Sequence, residues 1–172
     1  MEHDIGLVLG ILTGLGAGLL LVSLLFRKKV LDMTFDERQE RARGKAFQYG
    51  FFVLAACVVL YGAADTFLGR WCDTLTGAVL CVCVALTVFA AVCIWKDAYL
   101  SLKERPGKVM TLFAGLAAMN LGLGGILTSS GGLVEDGVLT FRACNLAAGV
   151  LLLAVMAIYG VKLLRERKRE EE

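Results

Sequence analysis

Residues 27–49 read RKKVLDMTFDERQERARGKAFQY, and this interval decides how the rest of the chain is threaded. It is the longest polar interval between apolar blocks and carries seven of the eighteen Lys and Arg residues. Outward from it the chain is strongly apolar: 58% of its 172 residues are hydrophobic, with 20 Gly and one Pro. A soluble domain of this length needs far more polar surface to cover its core. The apolar residues come in blocks of about 20, the length at which a helix rising 1.5 Å per residue crosses a hydrocarbon layer of about 30 Å. Five such blocks occur, at residues 5–26, 46–68, 74–95, 109–128 and 138–161. Since unpaired backbone is not tolerated in lipid, each is expected to be a helix. The expectation is an all-α integral membrane bundle of five transmembrane helices, a single domain of residues 1–172 with a cytoplasmic tail at 162–172.

The basic residues set the orientation. Sixteen of the eighteen cations fall on alternate connections: Arg27–Lys45, then Lys96, Lys103, Arg105 and Lys108, then the tail from Lys162. Only Arg70 and Arg142 fall on the other side. The positive-inside rule then puts the N-terminus outside and the C-terminus in the cytoplasm of a multipass cell-membrane protein. Glu2, Asp4, Asp65, Asp73, Glu135 and Asp136 lie on the outer side. The tail RERKRE is interleaved with Glu, and at a membrane it reads as an anchor facing anionic lipid, not as a nucleic-acid contact.

Along the chain, the first block carries Gly6, Gly10, Gly14 and Gly18 at a strict spacing of four, a row that lets a second helix backbone approach closely. Two readings stand: packing within the bundle, or the face of a homo-oligomer. Before the second block, Thr34-Phe35-Asp36-Glu37 has the form of a capping box with Thr34 as cap. A helical extension from about Phe35 then leads into the membrane at Lys45, its charged face exposed to cytoplasm. The outer turn Gly69–Asp73 is short, so the second and third blocks form an antiparallel hairpin. Phe67 and Trp71 at its outer end, with Trp95 and Tyr99 at the inner end, read as interfacial anchors. KDAYLSLKERPGK, residues 96–108, is expected to prolong the third helix until Pro106-Gly107 stops it. Ala114, Ala118, Gly122 and Gly124-Gly125 suggest a close-packing face, SSGGLVEDG a flexible acidic loop, and the C-terminal tail a fraying end. Gly44-Lys45 against Gly107-Lys108, and Leu102–Arg105 against Leu164–Arg167, outline a parallel repeat of two hairpins.

Polar groups at membrane depth are few. Asn120 and Asn145 lie at similar depth and are expected to hydrogen-bond across adjacent helices. Asp65 and Arg142 sit near outer helix ends, where they pair or reach to water. No acidic residue lies near a midplane, as a proton or ion pathway would want. Of six cysteines, four lie within apolar helices, and Cys81-x-Cys83 diverges by about 200° on a helix. Cys72 and Cys144 are the one pair with any basis for a disulfide. His3 is the sole histidine, and with no catalytic triad, Walker loop or metal-ligand cluster the chain matches no enzyme or cofactor template.

Asp36-Glu37-Arg38-Gln39, followed by Gly44-Lys45-Ala46 and Tyr49 and later by Lys96-Asp97-Ala98-Tyr99, resembles a set of uncharacterised small multipass membrane proteins of Gram-positive bacteria. Their shared features are a D-E-R-Q juxtamembrane motif and a K-D-A-Y motif, and the resemblance covers roughly residues 34–136. It implies a bacterial cytoplasmic-membrane protein, similar to others encoded beside small helix-turn-helix regulators. On the expected threading both motifs lie on the inner face, where Arg38 or Lys45 would approach Asp97 and Tyr99. Two functions follow as expectations. One is a non-enzymatic protein binding a cytoplasmic regulatory partner through Asp36, Arg38, Gln39, Lys96, Asp97 and Tyr99. The other is a small transporter or permease subunit acting as a homo-oligomer.

Overall fold

The computed structural model describes residues 34–102, 104–129 and 131–171, together with residue 23. The first apolar block, residue 23 apart, and its glycine row (Gly6, Gly10, Gly14, Gly18) lie outside the described residues. The described chain is all-α apart from one small ribbon. Its helices are α1 (Glu37–Leu68), α2 (Thr74–Trp95), α3 (Pro106–Ser129) and α4 (Ala143–Glu170). All four are long and apolar enough to cross a membrane. The chain divides into two compact units. In the smaller, the Leu102 N–H donates to the Thr34 carbonyl (3.2 Å) and the Ser101 N–H to the Glu104 carboxylate (3.0 Å).

Within the larger unit, residues 35–100 and 105–172, α1 packs on α2, α2 on α4, and α4 on α3. The turn at Gly69–Asp73 makes α1–α2 an antiparallel hairpin, α3–α4 is a second, and α2 and α4 bring the two together. Ala90, Ile94 and Val155 form the buried centre of that junction, with Phe113, Leu151 and Tyr159 against it.

Helix contacts are set by the absence of side chains. A Cβ on Gly77 would stand 2.4 Å from the Tyr61 ring, so the α1–α2 approach depends on a glycine. The α3–α4 contact is reciprocal: Gly124 receives Leu146 and Gly149 receives Leu121, each within 2.6 Å of where a Cβ would be. Both pairs obey one antiparallel register. In that register Asn120 lies several residues off the level of Asn145, and it donates instead to the Leu116 carbonyl one turn back (2.8 Å). The expected row Ala114, Ala118 and Gly122 is exposed; Ala117 and Gly124 are the buried positions of α3.

Several boundaries differ from the sequence reading. Asp36, not Thr34, caps α1, and α1 runs unbroken for 32 residues, about 48 Å at 1.5 Å per residue. Asp97 turns the chain at the end of α2, so residues 96–102 do not prolong that helix, and Pro106 opens α3, where its missing N–H costs nothing. The fifth apolar block does not begin as helix. Val138–Leu139 (β2) pairs antiparallel with Val134–Glu135 (β1), and the loop expected to be flexible is a two-residue hairpin. Its turn residues Asp136 and Gly137 have φ of 52° and 79°, the positive values an Asp-Gly type I′ turn requires. Leu139 also exchanges backbone hydrogen bonds with the α1–α2 turn, donating to Trp71 (2.9 Å) and accepting from Asp73 (2.8 Å). The tail expected to fray is helical to Glu170.

At this ribbon end Arg142 pairs with Glu135 (2.9 Å) instead of Asp65, one of whose carboxylate oxygens is buried without a partner. Cys72 and Cys144 are free thiols; Cys72 is wholly buried, and burial pushes its thiol pKa up.

Glycine substitutions separate contact from composition. Gly149→Val should lower the thermal stability of the detergent-solubilised protein by about 1–3 kcal/mol, the usual cost of overpacking. Gly122→Val, in open space on the same hairpin, should change it little. Equal losses in thermal melts would refute the reciprocal Gly–Leu contact.

Candidate functional site

The basic end of the larger unit is organised around the last turn of α2. A helix ends with carbonyl oxygens that have no partner in the helix. Here the chain closes with a Schellman arrangement: the Ala98 N–H donates to the Cys93 carbonyl (2.8 Å) and the Asp97 N–H to the Ile94 carbonyl (3.2 Å). The motif needs a left-handed residue, usually Gly, and Asp97 fills it with φ 57°. A side chain in that region costs about 1–2 kcal/mol, so the position carries a carboxylate at the expense of backbone ease.

Two side chains from α1 satisfy the carbonyls that this reversal exposes. Gln39 Nε2 donates to the Asp97 carbonyl (2.7 Å) and, more weakly, to that of Leu100 (3.3 Å). Its Oε1 accepts from the Asp36 N–H (3.2 Å), while the Asp36 carboxylate accepts from the Gln39 N–H (2.6 Å). One buried amide therefore completes the capping box of α1 and ties α1 to the end of α2. Arg43 donates to the Ala98 carbonyl (3.1 Å), and its guanidinium lies 4.1 Å from the Phe35 ring centre. A cation at the negative end of the α2 dipole is favourably placed.

The Asp97 carboxylate joins a third helix. Its Oδ1 accepts from Lys162 Nζ, and its Oδ2 lies 4.0 Å from Arg38. Lys162 also pairs with Glu166, one turn on (3.4 Å). The Lys162 side chain is 10% exposed and that of Asp97 63%, so the pair is half-solvated. Water shares the charge of Asp97, which makes the pair worth less than a fully buried one.

The six sequence-derived candidates thus divide. Asp36, Gln39 and Asp97 are engaged in holding helix ends, and Gln39 is buried, not on a charged exposed face. Tyr99 packs edge-on against Phe113, with ring centres 6.3 Å apart. Arg38 and Lys96 remain exposed. The D-E-R-Q and K-D-A-Y segments meet, chiefly through Gln39 and backbone carbonyls and secondarily through Arg38 and Asp97. Two participants escaped the sequence reading. Arg43 reads in sequence as one of a run of cations, although its spacing from Gln39 and Ala46 puts it on the α2-facing stripe. Lys162, by sequence the start of the tail, is the other.

A cleft of about 330 Å³ opens between α1 and α2 on the neighbouring face, lined by Arg38, Arg41, Ala42, Lys45, Tyr49, Val92 and Lys96. Among the described residues no group of three or more His, Cys, Asp or Glu side chains converges as metal ligands would. Comparison with known proteins finds no matching family model, no matching curated protein and no matching solved structure.

Gln39→Ala should lower thermal stability by about 2–4 kcal/mol, from a lost cap and carbonyl groups left unpaired. Asp97→Gly should be more stable than Asp97→Ala by about 1 kcal/mol, because both lose the carboxylate while only glycine is at ease at φ 57°. Thermal melts showing Asp97→Ala equal to or above Asp97→Gly would remove the left-handed turn from the account.

Proposed function

We propose that this chain is a non-enzymatic, five-span protein of a bacterial cell membrane, N-terminus outside and C-terminus inside, whose basic end docks a cytoplasmic regulatory protein. The observation that carries the reading is the Gln39–Asp97–Lys162 junction. It holds the start of α1, the end of α2 and the last turns of α4 in one fixed relation. α1 begins more than two turns before its apolar block, and α4 continues to Glu170. On this reading both helix ends stand clear of the hydrocarbon core and present Glu37, Arg38, Glu40 and Arg41 on α1 and Arg165–Glu170 on α4. Such a mixed-charge platform, tied together by side chains of three helices, suits a folded partner of complementary charge, since preorganised surfaces lose little freedom on binding. The resemblance to membrane proteins encoded beside small helix-turn-helix regulators makes a regulator the partner class to test first.

Reporter fusions to the two chain ends should give opposite sidedness, active outside for the N-terminus and inside for the C-terminus. Photocrosslinking from position 167 in intact cells should then capture a heterologous cytoplasmic protein, and the Arg38→Glu/Arg167→Glu variant should lose it while remaining in the membrane. Reporters on one side would overturn the five-span threading. A self-crosslink with no other product would overturn the docking role and favour a homo-oligomer.

A further inference from the structure

The cleft between α1 and α2 at the basic end has a different character from the helix ends above it, and we propose that it binds the phosphate headgroup of an anionic glycerophospholipid. Arg41, Lys45 and Lys96 form its charged wall, with Arg38 at the rim, and Tyr49 and Val92 where it turns apolar. This goes beyond the docking role and stands without it, since it rests on the cleft alone.

Three observations carry it. First, the cations converge. Arg38, Arg41, Lys45 and Tyr49 recur at spacings of three and four, which places them on one stripe of α1, while Lys96 comes from the end of α2. The positive-inside rule accounts for how many cations lie at this end. It gives no reason for cations of two helices to enclose one space of about 330 Å³, a volume within the range of small-ligand sites.

Second, their charge is poorly compensated within the protein. No carboxylate lines the cleft. Arg41 reaches Glu37 (3.5 Å) through an exposed one-turn pair, and Arg38 stands 4.0 Å from an Asp97 that Lys162 already engages. Lys45 and Lys96 make no salt bridge to any described residue. Arg38 and Arg41 also sit near the positive end of the α1 dipole, where cations are disfavoured. An anion in the cleft relieves both penalties.

Third, the cleft is graded as a lipid is. Past Tyr49, the same stripe continues through Phe52 and Leu60, both more than two-thirds exposed. A headgroup held among the lysines thus leaves its acyl chain against aromatic and aliphatic side chains in the apolar zone. Basic pockets at the membrane-facing ends of helices recognise anionic headgroups in this way, through phosphate charge together with adjacent hydrocarbon. A free phosphate would use the cations and leave the apolar stripe unused.

The test uses full-length protein in neutral detergent, with bound lipid counted by native mass spectrometry. Short-chain phosphatidylglycerol should bind saturably and phosphatidylcholine should not. Lys45→Gln/Lys96→Gln should weaken phosphatidylglycerol binding about 30-fold, two surface cations' worth. Lys45→Arg/Lys96→Arg should bind as the wild type, which shows that any loss in the glutamine variant is one of charge, not of folding. Lys168→Gln/Arg169→Gln, which removes two tail cations, should also bind as the wild type. Undiminished binding by the glutamine variant, failure of the arginine variant to restore it, or equal loss in the tail variant would overturn the site. Inorganic phosphate displacing phosphatidylglycerol at matching concentration would assign the cleft to a soluble anion and overturn the lipid.

Discussion

A helix end leaves carbonyl oxygens that must find donors, and the basic end of this protein is arranged around that requirement at the end of α2. The Schellman turn satisfies the carbonyls of Cys93 and Ile94 from within, and α1 supplies Gln39 and Arg43 for those of Asp97 and Ala98. In water such groups are satisfied by solvent at little cost. Where packing excludes water, as around the buried Gln39 and Ala98, an unpaired one is costly, so a side chain from a neighbouring helix becomes a structural element. Gln39 and Arg43 thus tie α1 to α2 at this end, alongside the apolar contacts of Phe47 and Gly50 with Phe89.

Elsewhere the helices are held by shape. The largest fully buried side chains are only Ile94, Thr76, Cys72 and Cys93, so close fit carries the contacts between helices. Tyr61 over Gly77, Leu146 over Gly124 and Leu121 over Gly149 show what the fit consists of, a large side chain seated where a neighbour has none. The ribbon at the opposite end adds a second tie, because Leu139 hydrogen-bonds to the turn between α1 and α2 and so joins the two hairpins.

The cations at the basic end serve two purposes that their numbers alone conceal. Arg43 and Lys162 are committed inward, one to the Ala98 carbonyl in the turn after α2 and the other to Asp97. Arg41, Lys45 and Lys96 face a cleft and are left with little internal compensation. Asp97 is the point where the groups meet: its backbone makes the turn, its carbonyl receives Gln39, and its carboxylate lies between Lys162 and Arg38. A residue in the left-handed region that also holds an ion pair is one where conformational ease has been given up for an interaction.

The amino-acid sequence by itself determined that the chain is helical and membrane-compatible, because block length and apolar content are local properties. It also marked Asp36–Gln39 and Lys96–Tyr99 as segments at one end of the same hairpin. The hairpin at Asp136-Gly137 was legible in principle from its turn chemistry, though the acidic residues around it read as a loop. What the tertiary structure decided is which polar group serves which neighbour. Gln39 reads as one more polar residue in a charged run until the end of α2 lies against it. Lys162 reads as the first cation of a tail until Asp97 turns toward it. Likewise Gly122 and Gly124 are alike in sequence, and only helix rotation puts one on the surface and the other under Leu146. These assignments depend on register and rotation between helices far apart in the chain, and such geometry leaves no trace in local composition.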